Sequence, residues 1–307
     1  MNILVTGGAG FIGSHTADAC VEHGHNVVVV DSLFTGNREF VPAEATFYQV
    51  DIRDFETIQQ IIGDHDIEAI FHFAAHMDAR AAVDQPVHDA DMNVRGSIHV
   101  LEAARHHGVK QVMMASTGGV MYGEHAPIPT PESEMERPNT PYAVSKLSME
   151  KYAQYYQDAF GINYAALRYS NVYGPRQNSR GEAGVIAIFT DRLLSGEPCT
   201  IFGNGTITRD FIHVSDVTAA NMTALQREVT GVFNISTAQE TSVNTVYETV
   251  AQEVGIDTPA EHGAAKPGEQ SRSCLAYDKW HTATGWTPHF SFPEGVKDTV
   301  AWFKDRA

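Results

Sequence analysis

Cysteine is nearly absent from this chain. Cys20, Cys199 and Cys274 are odd in number and far apart, which argues against a disulfide framework or a cysteine-built zinc site and suits incidental thiols in a reducing cytoplasm. Long apolar runs are missing too. None approaches the roughly 20 residues a membrane-spanning helix needs, and because a strand begins at Asn2 with no charged segment before it, no secretory leader is expected. Positive charge is scarce, with 21 basic against 38 acidic residues and a net charge of -17. A polyanion such as DNA would be repelled by that surface, so any anionic ligand must find a local basic patch. Lysine is rarer than arginine, a balance that suits a saline habitat and equally an ordinary acidic cytosolic enzyme. The 15 histidines are scattered, and pairs such as His23/His25 and His106/His107 lack the spacing and companions of a metal site. No metal is expected. Internal repeats and low-complexity tracts are also absent.

What is present is enough apolar material, 43% of 307 residues, for one large α/β domain or a domain with a smaller lobe. Candidate strands at 2–6, 26–30, 46–50, 69–73, 111–115 and about 163–169 alternate with helix-like stretches. This alternation predicts a doubly wound parallel sheet of the Rossmann type, with ligands beyond the carboxyl ends of its strands. After about residue 172 the pattern loosens into Gly- and Pro-containing loops, short helices and isolated strands. The expected division is therefore 1–171, a cofactor-binding domain carrying the catalytic helix, and 172–307, mainly a substrate-binding lobe with some segments returning to the first domain.

The first strand runs directly into Gly7-Gly8-Ala9-Gly10-Phe11-Ile12-Gly13 and an apolar helical pattern. Glycines at 7, 10 and 13 serve a tight bend, close approach of a pyrophosphate and helix-on-sheet contact, although the spacing is G-x-x-G-x-x-G in place of G-x-G-x-x-G. The second strand ends in Asp31, where a carboxylate accepts ribose hydroxyls and repels the extra phosphate of NADP, so NAD is favoured. Tyr142 and Lys146 stand four apart, one helical turn from each other. A lysine cation beside the phenol favours the phenolate and makes the tyrosine a useful proton acceptor near neutrality.

With Ser116-Thr117, these features resemble the extended short-chain dehydrogenase/reductase family over essentially the whole chain, and within it are most similar to the UDP-glucose (UDP-galactose) 4-epimerases. The resemblance implies NAD contacts from Gly7, Gly10, Phe11, Ile12, Gly13, Asp31, Ser32, Asp51, Ile52, Phe73, Ala74, Ala75, Asn93, Ser116, Tyr142, Lys146 and Tyr169. It implies that a hydroxyl at 116–117 bonds the reacting sugar oxygen. The 25-residue separation from Tyr142 favours Thr117, while Gly118 marks one extra residue in the segment and leaves Ser116 a substitute. Dehydratases and decarboxylases of the family place an acid just after this hydroxyl; here Gly118-Gly119 stands there, which favours a reaction of hydride movement and one proton transfer.

In the second half, Asn171 resembles the asparagine that holds substrate near the nicotinamide, Ile201-Phe202 the uridine shelf, and Arg209 a diphosphate clamp suited to a planar guanidinium. Lys266-Pro267-Gly268-Glu269 with Arg272 resembles the closing segment, with lysine where arginine is usual. Ser273 falls where a bulky aromatic restricts some epimerases to glucose and galactose. The implied reaction is interconversion of UDP-hexoses at C4: Tyr142 takes the 4-hydroxyl proton while hydride passes to NAD+, and the 4-keto sugar turns before hydride returns. The substrate order is glucose/galactose, then N-acetylhexosamine, then glucuronate, for which Arg176 or Arg180 would meet the carboxylate. Alternatives are a net NAD-dependent oxidoreductase and an NAD-sensing regulatory protein. Helices near 84–107 and 142–160 carry apolar residues on more than one face, and the family pairs them between subunits, so a cytoplasmic homodimer is expected.

Overall fold

A computed structural model describes residues 1–180, 184–265 and 270–306. The first half contains β1 (Asn2–Thr6), α1 (Phe11–Glu22), β2 (Asn26–Asp31), β3 (Thr46–Gln49), α2 (Phe55–Asp64), β4 (Ala69–His72), α3 (Ala79–Asp84), α4 (Pro86–Ala90), a π-helical turn (Asp91–Arg95), α5 (Gly96–His107), β5 (Gln111–Thr117), α6 (Pro141–Phe160) and β6 (Asn163–Tyr169). The second half contains β7 (Asn171–Tyr173), α7 (Val185–Leu194), β8 (Thr200–Phe202), β9 (Thr208–Arg209), β10 (Phe211–His213), α8 (Val214–Arg227), β11 (Gly231–Ile235), β12 (Thr241–Ser242), α9 (Val243–Val254), β13 (Glu261–Gly263), β14 (Arg272–Ser273), α10 (Asp278–Thr284) and α11 (Phe292–Lys304).

All six expected strands form, and they lie in one parallel sheet of order β3-β2-β1-β4-β5-β6-β11. Burial on both faces explains why these strands are apolar runs. Ile3, Val5, Val27 and Val29 enter one core, while Leu4, Val28 and Val30 enter the other, the two-residue alternation of a strand covered on both sides. The chain winds one way from β1 to β3 and the other way from β4 to β6, so a crevice opens between the carboxyl ends of β1 and β4. Strand β5 runs two residues beyond its expected end, because Ser116 and Thr117 pair with Arg168 and Tyr169.

Part of the second half packs with the sheet. β11 pairs with β6, and α8 packs on α1. A separate apolar core joins α7, α9 and α11 through Ile186, Phe189, Val246, Val250 and Val296. Leaving water stabilises each such side chain by about 1.5–3 kcal/mol. Beside it β9 carries β12 on one edge and β14 on the other.

The single long helix expected near 84–107 is instead broken. Gln85, at φ -131°, interrupts the helical backbone, and Pro86, which cannot supply an interior N–H, starts the next segment. The π-helical turn at 91–95 adds a second irregularity before α5. Helix 142–160 forms as expected, from Pro141 to Phe160.

Candidate active site

The glycine turn occupies the crevice at the switch point. Gly7 has φ +70°, and a Cβ there would stand 2.6 Å from the Ala74 backbone nitrogen; at Gly13 it would stand 2.1 Å from the Gly7 carbonyl oxygen. Backbone cannot yield to such contacts, so the bend requires glycine at both places. Gly10 caps α1 without any side-chain hydrogen bond, leaving first-turn N–H groups and the positive helix end for an anionic ligand. At the tip of β2 the Asp31 carboxylate accepts from the backbone N–H groups of Ala9 at 3.0 Å and Leu33 at 2.8 Å. A carboxylate has about four acceptor positions, so two remain for vicinal hydroxyls. These residues fit a dinucleotide: pyrophosphate on the α1 terminus and a ribose on Asp31.

On the other side of the crevice, α6 begins where Thr140 accepts from the Ala143 N–H at 3.2 Å and Pro141 occupies the first position. Tyr142 thus lies in the first helical turn, where an anion is favoured. Lys146 follows on the same face, with Nζ 5.8 Å from the Tyr142 ring centroid and donating to the Ala115 carbonyl at 3.0 Å. Burial draws the Lys146 pKa down to about 8 against the upward pull of Asp89 and Glu150. A lysine poised there is still largely cationic at neutrality. Beneath it, His72 bridges Thr6 Oγ1 at 2.7 Å and Ser97 Oγ at 2.9 Å, and burial, helped by the Lys146 charge, lowers its pKa to about 3. His72 is a neutral strut.

Side chains alternate along β5, so the two neighbouring hydroxyls face opposite ways. Ser116 is buried and donates to Glu150 Oε1 at 2.5 Å. Thr117 is half-buried at the strand's end. Just beyond it, a Cβ on Gly118 would meet Leu275 Cδ1 at 2.2 Å, and one on Gly119 would lie 3.7 Å from Asn171 Oδ1. Ser273 Oγ donates to the Gly119 carbonyl at 3.2 Å. Strand register sets Ser273 opposite Arg209 and Arg272 opposite Thr208. The fold therefore gathers Thr117, Asn171, Arg209 and Ser273, from four separate stretches of chain, around the Gly118-Gly119 loop.

The other residues expected at the site have surroundings of their own. Arg272, exposed, pairs with Glu240, which also accepts from Thr208 Oγ1 at 2.5 Å; strand alternation turns it away from the side that Arg209 shares with Ser273. Tyr169 turns its hydroxyl to Asn221 Oδ1 at 2.7 Å, on α8, and only its carbonyl, which accepts from the Gly118 N–H at 2.9 Å, reaches the site. Asn93 is buried and embraces the backbone of His76, accepting from its N–H at 2.7 Å and donating to its carbonyl at 2.8 Å. It shapes the loop after β4 and spends its amide there. Asp51 is held by Arg53 at 2.6 Å, while Ile52 is buried under Gly96. Phe73 and Ala74 follow β4 with both N–H groups donating to the Thr6 carbonyl, which carries the segment through Ala75 alongside Gly7. Phe202 presents its ring at the lobe surface, 45% exposed, whereas Ile201 is buried in the lobe's core. The segment Lys266–Glu269 lies outside the described residues. Arg176, one of two arginines considered for a uronate, pairs with Asp18 at 2.6 Å.

Two buried networks escaped the sequence reading. Arg168 donates to Glu150 through Nε at 2.9 Å and Nη2 at 2.7 Å, to Glu136 at 2.7 Å and to the Tyr122 hydroxyl at 2.7 Å. Burial opposes its charge, yet these partners, Glu150 foremost, hold its pKa above the usual arginine value. Asp89, fully buried, accepts from Ser145 Oγ at 2.6 Å and Asn93 Nδ2 at 2.9 Å. The i, i+4 step from Lys146 to Glu150 was a visible signal for the first; nothing local pointed to the second. Among the described residues, no group of three or more His, Cys, Asp or Glu side chains assembles that could hold a metal ion.

The chain matches a family profile described as Epimerase, NAD dependent epimerase/dehydratase family, over residues 3–236. Its structure is similar to that of UDP-glucose 4-epimerase from Thermotoga maritima, solved with UDP-glucose: 42% identity, TM-score 0.97, covering 100% of this chain and 99% of that one. It is similar to the Thermus thermophilus UDP-glucose 4-epimerase in complex with NAD at 38% identity and a TM-score of 0.95, covering 100% of both chains. A third likeness, at 31% identity and a TM-score of 0.94 with 100% and 99% covered, is to the UDP-N-acetylglucosamine 4-epimerase of Methanobrevibacter ruminantium in complex with UDP-N-acetylmuramic acid.

Proposed function

This chain belongs to the NAD dependent epimerase/dehydratase family, and from that membership and the site's geometry we propose that it is a UDP-hexose 4-epimerase, acting first on UDP-glucose and UDP-galactose. The observation that carries the reading is the Tyr142–Lys146 pair in the first turns of α6, set against the end of β5 where Thr117 stands, with no acid in the following Gly118-Gly119. NAD would be held by the glycine turn, the α1 terminus and Asp31. When bound, it supplies hydride acceptance and return at sugar C4, through a 4-keto state.

The chain's own groups handle the proton and the sugar. Tyr142, as phenolate, takes the 4-hydroxyl proton and gives it back, a task its ordinary pKa near ~10 would not suit without a neighbouring cation. Lys146 is that cation. Thr117 bonds the reacting oxygen, a choice supported by the bond that occupies the Ser116 hydroxyl with Glu150. Arg209 grips the diphosphate bidentately, so the sugar turns about a fixed linkage and presents its other face. Gly119 keeps a side chain out of the space beside Asn171 and Ser273, while Gly118 makes room for Leu275.

A second substrate class is favoured by one observation: Ser273 beside Gly119 is small where a bulky group would exclude a 2-acylamino substituent. UDP-N-acetylhexosamines are therefore expected to react as well. We read 1–171 as the cofactor-binding division, with β11 and α8 joined to it, and the rest as the nucleotide-sugar lobe. The exposed apolar side chains Val87, Val144, Tyr155 and Phe160 on α4 and α6 support a homodimer through these helices. A cytoplasmic setting suits the three buried free cysteines.

The deciding experiment incubates purified protein, without added NAD, with UDP-galactose, UDP-N-acetylgalactosamine and UDP-galacturonate in turn, resolving C4 epimers by NMR. Conversion of the first to an equilibrium mixture, reduced by about 10³-fold or more in Tyr142→Phe, is expected. Inertness toward all three, with reduced cofactor accumulating once NAD is supplied, would replace the epimerase with a dehydrogenase.

A further inference from the structure

Lys146 is buried one helical turn before Glu150 on α6 and next to Ser145, whose hydroxyl donates to Asp89 on α4; the charges of both acids favour its cation. Both acids are themselves almost wholly enclosed, Glu150 at 1% and Asp89 at 0% exposure. Each is fastened by hydrogen bonds to elements that build the site. Glu150 accepts from Ser116 on β5 and doubly from Arg168 on β6, three residues before Asn171. Asp89 accepts from Ser145, adjacent to Lys146, and from Asn93, which fixes the His76 loop. A buried charge is retained only where its partners are bonded and in place.

We propose that Glu150 and Asp89 are positioning residues for the epimerase reaction, a pair of buried carboxylates anchored around Lys146 on α6 and α4 whose charge favours its cation beside the Tyr142 ring. The groups facing the ammonium are these two acids, Tyr142 on α6, the Ala115 carbonyl on β5 and the neutral His72 on β4. His72 adds no charge of its own. The acids are thus the side chains whose negative charge offsets the burial of Lys146. Their second connections carry the same constraint outward: a shift of Glu150 moves Ser116 and with it the end of β5 that bears Thr117, and a shift of Asp89 moves Ser145 and the loop after β4.

The test reads Lys146 directly and activity separately, because the catalytic half of the proposal rests on the epimerase reading and the ionisation half does not. Holoenzyme is labelled with ¹³Cε-lysine; the Lys146 signal is assigned with Lys146→Arg and titrated by NMR in parent, Glu150→Gln, Asp89→Asn and Ser116→Ala. Removing either carboxylate is expected to lower the Lys146 midpoint by about 1 pH unit, the small end of what a neighbouring opposite charge produces. The alkaline fall of kcat for UDP-galactose epimerisation should move down with it, since deprotonated lysine no longer supports the phenolate. Ser116→Ala removes a hydrogen bond and no charge, and should leave the midpoint in place. Unchanged midpoints in both carboxylate variants would overturn the proposal. Should Glu150→Gln fail to fold for want of a full partner to Arg168, Asp89→Asn decides alone, since the groups hydrogen-bonded to Asp89, Ser145 and Asn93, are neutral, with His76 Nδ1 farther off at 3.6 Å. Shifted midpoints in a protein without epimerase activity would keep the role of the two carboxylates and sink the epimerase.

Discussion

At the scale of single residues, the site turns on which of two adjacent hydroxyls meets the sugar. Spacing from Tyr142 pointed to Thr117, and the extra residue at Gly118 kept Ser116 in play. In the structure Ser116 is 4% exposed and bonded to Glu150, so its hydroxyl serves the Arg168 network. Thr117→Ala should therefore lower kcat by about 10²–10³-fold, as loss of a hydrogen bond to a reacting oxygen does, with the melting temperature nearly unchanged. Ser116→Ala should keep most of the activity and lower the melting temperature, because Glu150 and the buried Arg168 lose part of their company. The reverse pattern, rate lost in Ser116→Ala and kept in Thr117→Ala, would exchange the two roles.

At the scale of elements, the crevice is held open by struts between strands and helices as much as by the sheet itself. His72 is one: from β4 it reaches Thr6 on β1 and Ser97 on α5. Its pKa is about 3 in the fold because burial disfavours the charged ring, against 6.5 ordinarily. The unfolded chain therefore takes up this proton first as pH falls. Stability is undiminished above about pH 6.5 and is lost on descending toward 3, by at most about 1.4 kcal/mol per pH unit from this one group. Urea unfolding of parent and His72→Gln at pH 6.5 and 4.5 checks it: the parent should lose the larger increment of stability. Equal losses would mean that His72 is not the group titrating. The broken helix at 84–107 belongs to this scale as well. Its π-helical turn contains Asn93, so the irregularity aims an amide at the His76 backbone in place of continuing a regular helix.

At the scale of the whole molecule, the net charge of -17 sits on a surface that also exposes Val87 at 83% and Tyr155 at 54%. Large apolar side chains grouped on neighbouring helices are a common mark of an interface. A second copy meeting α4 and α6 would cover them by two-fold symmetry, each helix facing its twin. Tyr155→Glu should convert the proposed dimer to monomers in sedimentation or light-scattering measurements, since a carboxylate would be buried unpaired at the contact. A parent that already sediments as a monomer would remove the dimer from this account.

The amino-acid sequence by itself determined the sheet, the glycine turn and the pairing of Tyr142 with Lys146 on one helix, because each depends on short-range pattern. Apolar runs of strand length between helical segments have few ways to be buried other than a parallel sheet. Glycines at 7, 10 and 13 follow a strand at once, and Tyr142 and Lys146 need only one helix to share a face. What the tertiary structure alone decided are matters of orientation and long-range partnership. Arg272 and Ser273 are neighbours in sequence, yet register against β9 turns one to Glu240 and the other to Gly119. Arg168 lies three residues before Asn171, but its partners Glu136 and Glu150 come from other segments. Asp89 and Ser145 are 56 residues apart and meet only when α4 packs on α6. No local spacing encodes such pairs, since a buried charge chooses its partner from whatever the folded chain brings within hydrogen-bond reach.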